Sequence, residues 1–256
     1  MTELALQNLR CSYQKYCAVE STSLTFTKGG VYVLLGPNGC GKSTLLRAIC
    51  GLQKFEGSCT LNGVEISKMS SKKRAECLSY LGQNSSAQLH LSVLEIVAMG
   101  FYPLLGAFEK PKRDQLQAAR AALKTVGLED CLEKDFLTLS GGQQQLALFA
   151  RTIVRKTPVL ILDEPDSALD FENRHRMLHH LSALAKGTGC IILLCTHDPS
   201  IALEYADSIL FMKQGRIVEN IALHSCTFSA LENAFSQLYS NSQLISHQGK
   251  FFITRG

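Results

Sequence analysis

Strand-like and helix-like segments alternate along this 256-residue chain, which predicts an α/β fold with a mainly parallel sheet. Three observations carry that prediction. Residues 31–35 form a β-rich run ending at a Gly-rich turn, and residues 42–50 follow with a helical pattern. Residues 159–162 and 191–194 are unbroken apolar runs, as in strands covered by helices on both faces. Residues 168–186 set Leu169, Met177, Leu178, Leu181 and Leu184 near helical spacing.

The other segments follow in order. Residues 1–30 and 55–66 alternate in polarity and carry turn residues (Lys28-Gly29-Gly30, Asn62-Gly63), so a smaller antiparallel sheet is expected there. From about 85 to 155 the pattern turns helical, most clearly at 91–100 and 113–126, and reads as a helical insert in the α/β core. In the tail, 250–254 reads as a short strand.

Composition bounds the function. At 46% hydrophobic and 19% charged the chain can bury a core. The net charge of +4 is mild and dispersed, so a nucleic-acid partner is not expected. The densest basic patch, Lys72-Lys73-Arg74, reads as a solvated helix face. No apolar run approaches the ~18 residues of a membrane span, and the N-terminus lacks the order of a signal peptide. A cytosolic chain is expected. The ten cysteines form no CxxC pair and read as reduced thiols, several packed as small hydrophobes.

Gly36-Pro37-Asn38-Gly39-Cys40-Gly41-Lys42-Ser43-Thr44 fits the phosphate-loop pattern G-x-x-x-x-G-K-[ST] at every fixed position. The glycines let successive backbone N–H groups turn toward one anion, and the following helix adds its N-terminal dipole. Lys42 would place a charge on the β- and γ-phosphates of ATP, and the Ser43 hydroxyl would ligand Mg²⁺. A Gly-rich turn matching by chance is the competing reading. Strand, loop and helix in that order argue against it.

Residues 159–162 lead into Asp163 and Glu164. A buried strand delivering acids at its C-terminal end places them beside a phosphate loop. Asp163 is expected to hold Mg²⁺, directly or through water, and Glu164 to polarise the attacking water as general base. The alternative is two surface acids at a strand end.

Leu139-Ser140-Gly141-Gly142-Gln143, about twenty residues before Asp163, resembles the signature motif of ABC ATPases. The resemblance extends over nearly the whole chain. Tyr13 fits the aromatic that stacks on adenine. Gln83 fits the glutamine joining core to helical insert, a further Mg²⁺ ligand. Ser167-Ala168-Leu169-Asp170 fits the D-loop of the dimer seam, and His197 in Thr196-His197-Asp198 fits the switch histidine. The resemblance implies a P-loop NTPase core with an antiparallel β subdomain and a helical subdomain. It divides the chain into core (about 1–84 and 156–224), helical subdomain (about 85–155) and a short extension (about 225–256). It also implies that two copies pack head to tail. ATP would lie between the phosphate loop of one and Ser140, Gly141, Gly142 and Gln143 of the other, with His197 on the γ-phosphate. In that site the Ser140 hydroxyl, the two glycine amides and a helix N-terminus suit a γ-phosphate.

Departures from the family pattern are Leu146 for the usual Arg and Asp166 for the usual Thr, the latter placing a negative charge near the dimer seam. One ATPase unit without a membrane span resembles prokaryotic importers, in which ATPase and permease are separate chains. Val93-Leu94-Glu95-Ile96-Val97-Ala98-Met99-Gly100-Phe101-Tyr102-Pro103 is similar to a stretch of the iron-siderophore, haem, vitamin B12 and metal-chelate group, with Phe101 for Arg. The implied partners are integral membrane permease subunits and, indirectly, a substrate-binding protein, at the cytoplasmic face of the membrane. Residues 84–108, with Leu89, Leu91, Leu104, Leu105 and Phe108, would receive a permease helix or else form core. Another importer or exporter class, a soluble ABC ATPase acting on nucleic acid or ribosomes, and a regulatory module without turnover are the alternatives. His175, His179 and His180 form either a solvated helix face or a metal-binding i, i+4 pair without a third ligand.

Overall fold

A computed structural model describes residues 2–14, 16–27, 29–83, 89–106, 108–239 and 242–255. In chain order the elements are β1 (Leu4–Tyr13), β2 (Tyr16–Phe26), β3 (Gly30–Leu35), α1 (Lys42–Ile49), β4 (Glu56–Leu61), β5 (Val64–Glu65), α2 (Ser71–Cys77) and β6 (Leu78–Leu81). Then come α3 (Val93–Ala98), α4 (Arg113–Thr125), α5 (Gly141–Ile153), β7 (Val159–Asp163), α6 (Phe171–Thr188), β8 (Ile191–Thr196) and α7 (Pro199–Tyr205). The chain closes with β9 (Ser208–Lys213), β10 (Arg216–Ala222), α8 (Phe228–Leu238), β11 (Ser242–His247) and β12 (Lys250–Arg255).

The central sheet runs β10-β9-β3-β8-β7-β6, and all its pairings are parallel except β10 with β9. Alternation along its strands separates two cores. Val33, Leu35, Leu160, Leu162, Ile192 and Leu194 face one side, against α3 to α8. Leu34, Val159, Ile161, Leu193 and Cys195 face the other, against α1 and the antiparallel sheet β2-β1-β4-β5. Both faces are thus covered, which is why β7 and β8 read as continuous apolar runs. The antiparallel sheet lies where its alternation predicts, and Asn62-Gly63 turns β4 into β5 with both residues at positive φ.

Several expected bounds shift. The helix expected over 168–186 begins at Phe171, because Asp170 caps it by accepting from Asn173 N at 2.8 Å and leaves 167–170 as a turn. The helix expected over 91–100 is α3, capped by Ser92 and Glu95. It gives way to 3₁₀ turns over Met99–Leu104, which contain Pro103. The tail strand exists, but as half of a β11–β12 hairpin. The described part of the insert is helical apart from one isolated bridge, Ser92 to Asp135. Lys28 and residues 84–88 and 107 of the expected permease-facing stretch lie outside the described residues.

All ten cysteines are free thiols, seven of them buried. Lys72 and Lys73 are exposed on α2. Leu146 is 3% exposed on α5 and packs as part of the core. Phe149, also on α5, is fully buried and meets the His180 ring edge-on at 6.2 Å. Phe149→Ala should destabilise the chain by about 3–5 kcal/mol in urea unfolding. A cost near zero would mean that α5 is not seated in this core.

Candidate functional site

Register sets the site. Leu35 pairs with Thr196, Asp163 with Cys195, and Leu81 with Leu162. The carboxyl ends of β3, β8, β7 and β6 are therefore level. The segments leaving them carry Gly36, His197, Glu164 and Gln83 out along one edge of the sheet.

The phosphate loop is held tightly. Gly39 has φ 77° and Gly41 φ 107°, values an L side chain rarely adopts. A Cβ on Gly41 would also lie 2.2 Å from the Ala18 carbonyl. Gly215 N donates to Cys40 O at 2.9 Å, tying the loop to the β9–β10 turn. The Lys42 side chain folds back over the loop, with Nζ donating to Gly36 O at 2.7 Å and Pro37 O at 3.1 Å. Lys42 is only 5% exposed, and those carbonyls satisfy an ammonium that burial would otherwise penalise.

A cleft of about 430 Å³ opens over this loop, lined by Tyr13, Tyr16, Ala18, Asn38, Gly39, Gly41, Lys42, Ser43, Thr44, Gln83 and Glu164. Gly36, Pro37, Cys40 and Asp163 sit beneath or beside it. The hydroxyl of Tyr13 donates to Gln53 Oε1 at 3.0 Å, and its ring is half exposed at the mouth. Tyr16, its partner at the tip of the β1–β2 hairpin, lines the same cleft and is absent from the residues read from sequence. The Tyr-x-x-Tyr spacing of a tight hairpin was the available signal.

The acids sit where the strand-end reading puts them. Asp163 is 2% exposed; burial raises its pKa, opposed by hydrogen bonds with Ser43 and Cys195. Its Oδ1 is buried and makes no hydrogen bond among the described residues. Burial and the neighbouring Asp163 carboxylate raise the Tyr80 pKa. Glu164 adopts φ 49°, a left-handed conformation costing a non-glycine residue about 1–3 kcal/mol. Its N–H is pinned to Cys195 O at 3.0 Å. Its Oε2 accepts from Gln83 Nε2 at 2.8 Å and lies 4.0 Å from His197 Nδ1. Three motifs distant in sequence thus converge on one carboxylate.

Ser140, Gly141, Gly142 and Gln143 are not in this cleft. They open α5, where Gln143 N donates to Ser140 Oγ at 3.3 Å and Ser140 N to Gln143 Oε1 at 3.1 Å. Nothing lies within 4 Å of where a Cβ on Gly141 would sit. Gln145 Nε2 donates to Pro165 O at 3.0 Å, which ties the signature helix to the turn after Glu164. Asp170 of the expected D-loop caps α6.

The histidine cluster splits. His175 Nδ1 meets the Tyr205 hydroxyl at 2.5 Å, His179 stacks edge-on against the Tyr205 ring, and His180 packs on Phe149. Among the described residues no group of three potential ligands stands together. Asp166 is buried and lies 3.8 Å from Arg174, so its charge is compensated internally.

Gly41→Ala combines positive-φ strain with the clash at Ala18. It should cost about 1–3 kcal/mol of stability and weaken ATP binding, read by urea unfolding and nucleotide titration. Unaltered affinity would remove the loop from the site.

The comparisons with known proteins agree with this geometry. The ABC transporter family model matches residues 19–167, more than half of the chain. A Bacillus subtilis protein named as a siderophore transport system ATP-binding protein is 34% identical over 92% of this chain and 86% of its own length. Spermidine/putrescine import ATP-binding proteins also match, but this chain spans only 58% of the Haemophilus ducreyi one. A transporter chain described as of metal-chelate type, solved inward-facing, superposes with a TM-score of 0.80 at 28% identity, covering 99% of this chain and 96% of that one. An ATP-binding cassette solved as a dimer with ADP and Pi superposes with a TM-score of 0.78 at 25% identity, covering 86% and 98%. With the phosphate loop, the strand-end acids and the signature helix in place, this chain belongs to the ABC transporter family and is one of its ATP-hydrolysing subunits.

Proposed function

We propose that this chain powers a prokaryotic importer of iron-siderophores or another metal chelate, working as a pair of copies beneath a membrane permease. The observation that carries the hydrolytic part is the convergence of Gln83 and His197 on Glu164 beside the phosphate loop. The importer class is supported by the siderophore-system relative and the metal-chelate transporter chain, both matched over most of their length. The longer polyamine relatives are matched over a smaller share.

In this reading the amides of 38–44 and Lys42 hold the β- and γ-phosphates. Ser43 and Asp163 would hold Mg²⁺, with Gln83 alongside. Their chemistry fits: a hydroxyl and a carboxylate stand side by side, and the carboxylate keeps one buried oxygen without a hydrogen bond among the described residues. Bound there, Mg²⁺ would supply positive charge against the phosphates. Glu164 orients and deprotonates the attacking water, and His197 contacts the γ-phosphate. Tyr13, joined by Tyr16, stacks on the adenine.

A second copy closes the site. The open N-terminus of α5, absent from the cleft of its own chain, is suited to the partner's γ-phosphate. Residues 167–170 lie at the seam. The core of about 1–84 and 156–224 carries the phosphate site. The helical part, about 85–155, presents Leu89, Tyr102, Phe108 and Leu137 as exposed apolar groups. These form the permease-facing surface, with Phe108 fully exposed. The chain works at the cytoplasmic face of the membrane, and a substrate-binding protein delivers the chelate.

Glu164→Gln should bind ATP with Mg²⁺, accumulate as a dimer on size exclusion and lose about 10²- to 10⁴-fold in turnover. Undiminished turnover would sink the base assignment. Phe108→Asp should leave the free chain's ATPase rate intact while abolishing copurification with the permease; retained copurification would place the docking surface elsewhere.

A further inference from the structure

Arg174, on the first turn of α6, touches none of the motifs described above in sequence, yet it lies between two of them in space. Its Nε is 3.8 Å from Asp166 Oδ2 and its Nη1 is 3.5 Å from Asp198 Oδ2. Asp166 follows Glu164 by two residues, and Asp198 follows His197 directly. The guanidinium therefore bridges the segment leaving β7 to the segment leaving β8. The backbone of Asp166 and the side chain of Asp198 are each held by contacts other than Arg174. Asp166 is 4% exposed, in a turn closed by Leu169 N donating to Asp166 O at 3.1 Å. Asp198 caps α7 through Oδ1, which accepts from Ser200 N at 2.9 Å, and so turns its other oxygen to the arginine. Burial disfavours the Asp166 charge and Asp198 repels it, whereas Arg174 and His197 stabilise it. Both contacts are ion pairs, and the buried Nε makes no hydrogen bond among the described residues; a guanidinium spreads its donors in one plane, which a lysine's compact ammonium does not.

We propose that Arg174 is a positioning residue that, by bridging Asp166 and Asp198, sets the separation of Glu164 from His197. The proposal rests on the reading of those two residues as the hydrolytic pair. Without the bridge, the two segments lose this tie and the 4.0 Å approach of His197 to Glu164 is lost. ATP binding depends on the phosphate loop and stays largely unaffected. Asp166 thus acts inside one subunit and not as a free charge at the dimer seam.

The test measures kcat, KM for ATP and Tm on the full chain. The variants are Arg174→Met, Arg174→Lys and the double variant Asp166→Asn with Arg174→Met. Arg174→Met should lower kcat about tenfold, since small misplacements of reacting groups are costly, with KM nearly constant. Arg174→Lys should fall between it and wild type. The double variant removes the uncompensated buried charge, so Tm should recover while kcat stays low. If kcat recovers together with Tm, Arg174 is only a structural counter-ion and the proposal fails. Should Arg174→Met not fold, Arg174→Lys and the double variant decide the matter alone. Glu164→Gln separates the two levels. Loss of its turnover alongside a normal kcat in Arg174→Met overturns the bridge and spares the hydrolytic reading. Normal turnover in Glu164→Gln overturns that reading itself.

Discussion

The parallel hydrogen-bond ladder of β3, β8, β7 and β6 controls everything else at the nucleotide site. Parallel strands pair with evenly spaced, slanted bonds, so the pairing register sets where their carboxyl ends fall. Here Leu35, Thr196, Asp163 and Leu81 finish together. A phosphate loop, two acids, a histidine and a glutamine, far apart along the chain, emerge within reach of one another. A one-residue slip of β7 would exchange its two faces. It would also carry Glu164 away from Gln83 and His197.

That register is secured by burial on both faces. The strands are apolar in both directions because α1 with the antiparallel sheet covers one side and α3 to α8 cover the other. Such packing supports the local costs that the site carries. Glu164 is held in a left-handed conformation, Lys42 and Asp163 are charged groups nearly sealed from water, and Asp163 keeps an oxygen without a hydrogen bond. Strain and incomplete pairing gather at the carboxyl edge of the sheet and not in its middle, as expected where chemistry has to be prepared in advance.

Within one chain the cleft and the N-terminus of α5 do not meet. The phosphate loop and Glu164 line the cleft, while Ser140 opens α5 elsewhere. The two are nonetheless joined within the chain, because Gln145 bonds Pro165 O beside Glu164. The start of α5 is thereby fixed to the residue that follows Glu164 in the same chain.

Much of this was legible in the residues. The phosphate loop needs glycine at positive φ and a Lys-Ser pair at a helix start, so its pattern is local. The acids after an apolar run, the Ser-Gly-Gly-Gln helix start and the alternation of the small sheet are local as well. Local rules also misplaced the start of α6, since helical spacing continues through 168–170 and only the Asp170 cap shows where the helix begins. Tyr80 and Arg174 carry no motif and became visible only through their contacts in the fold. The sequence by itself determined the chemical parts and the order of elements, because turn chemistry, caps and apolar periodicity act over a few residues. Only the tertiary structure decided which parts meet at Glu164, which charge Arg174 compensates, and that Leu146 belongs to the core. Those outcomes depend on sheet register and burial, which no short stretch of chain contains.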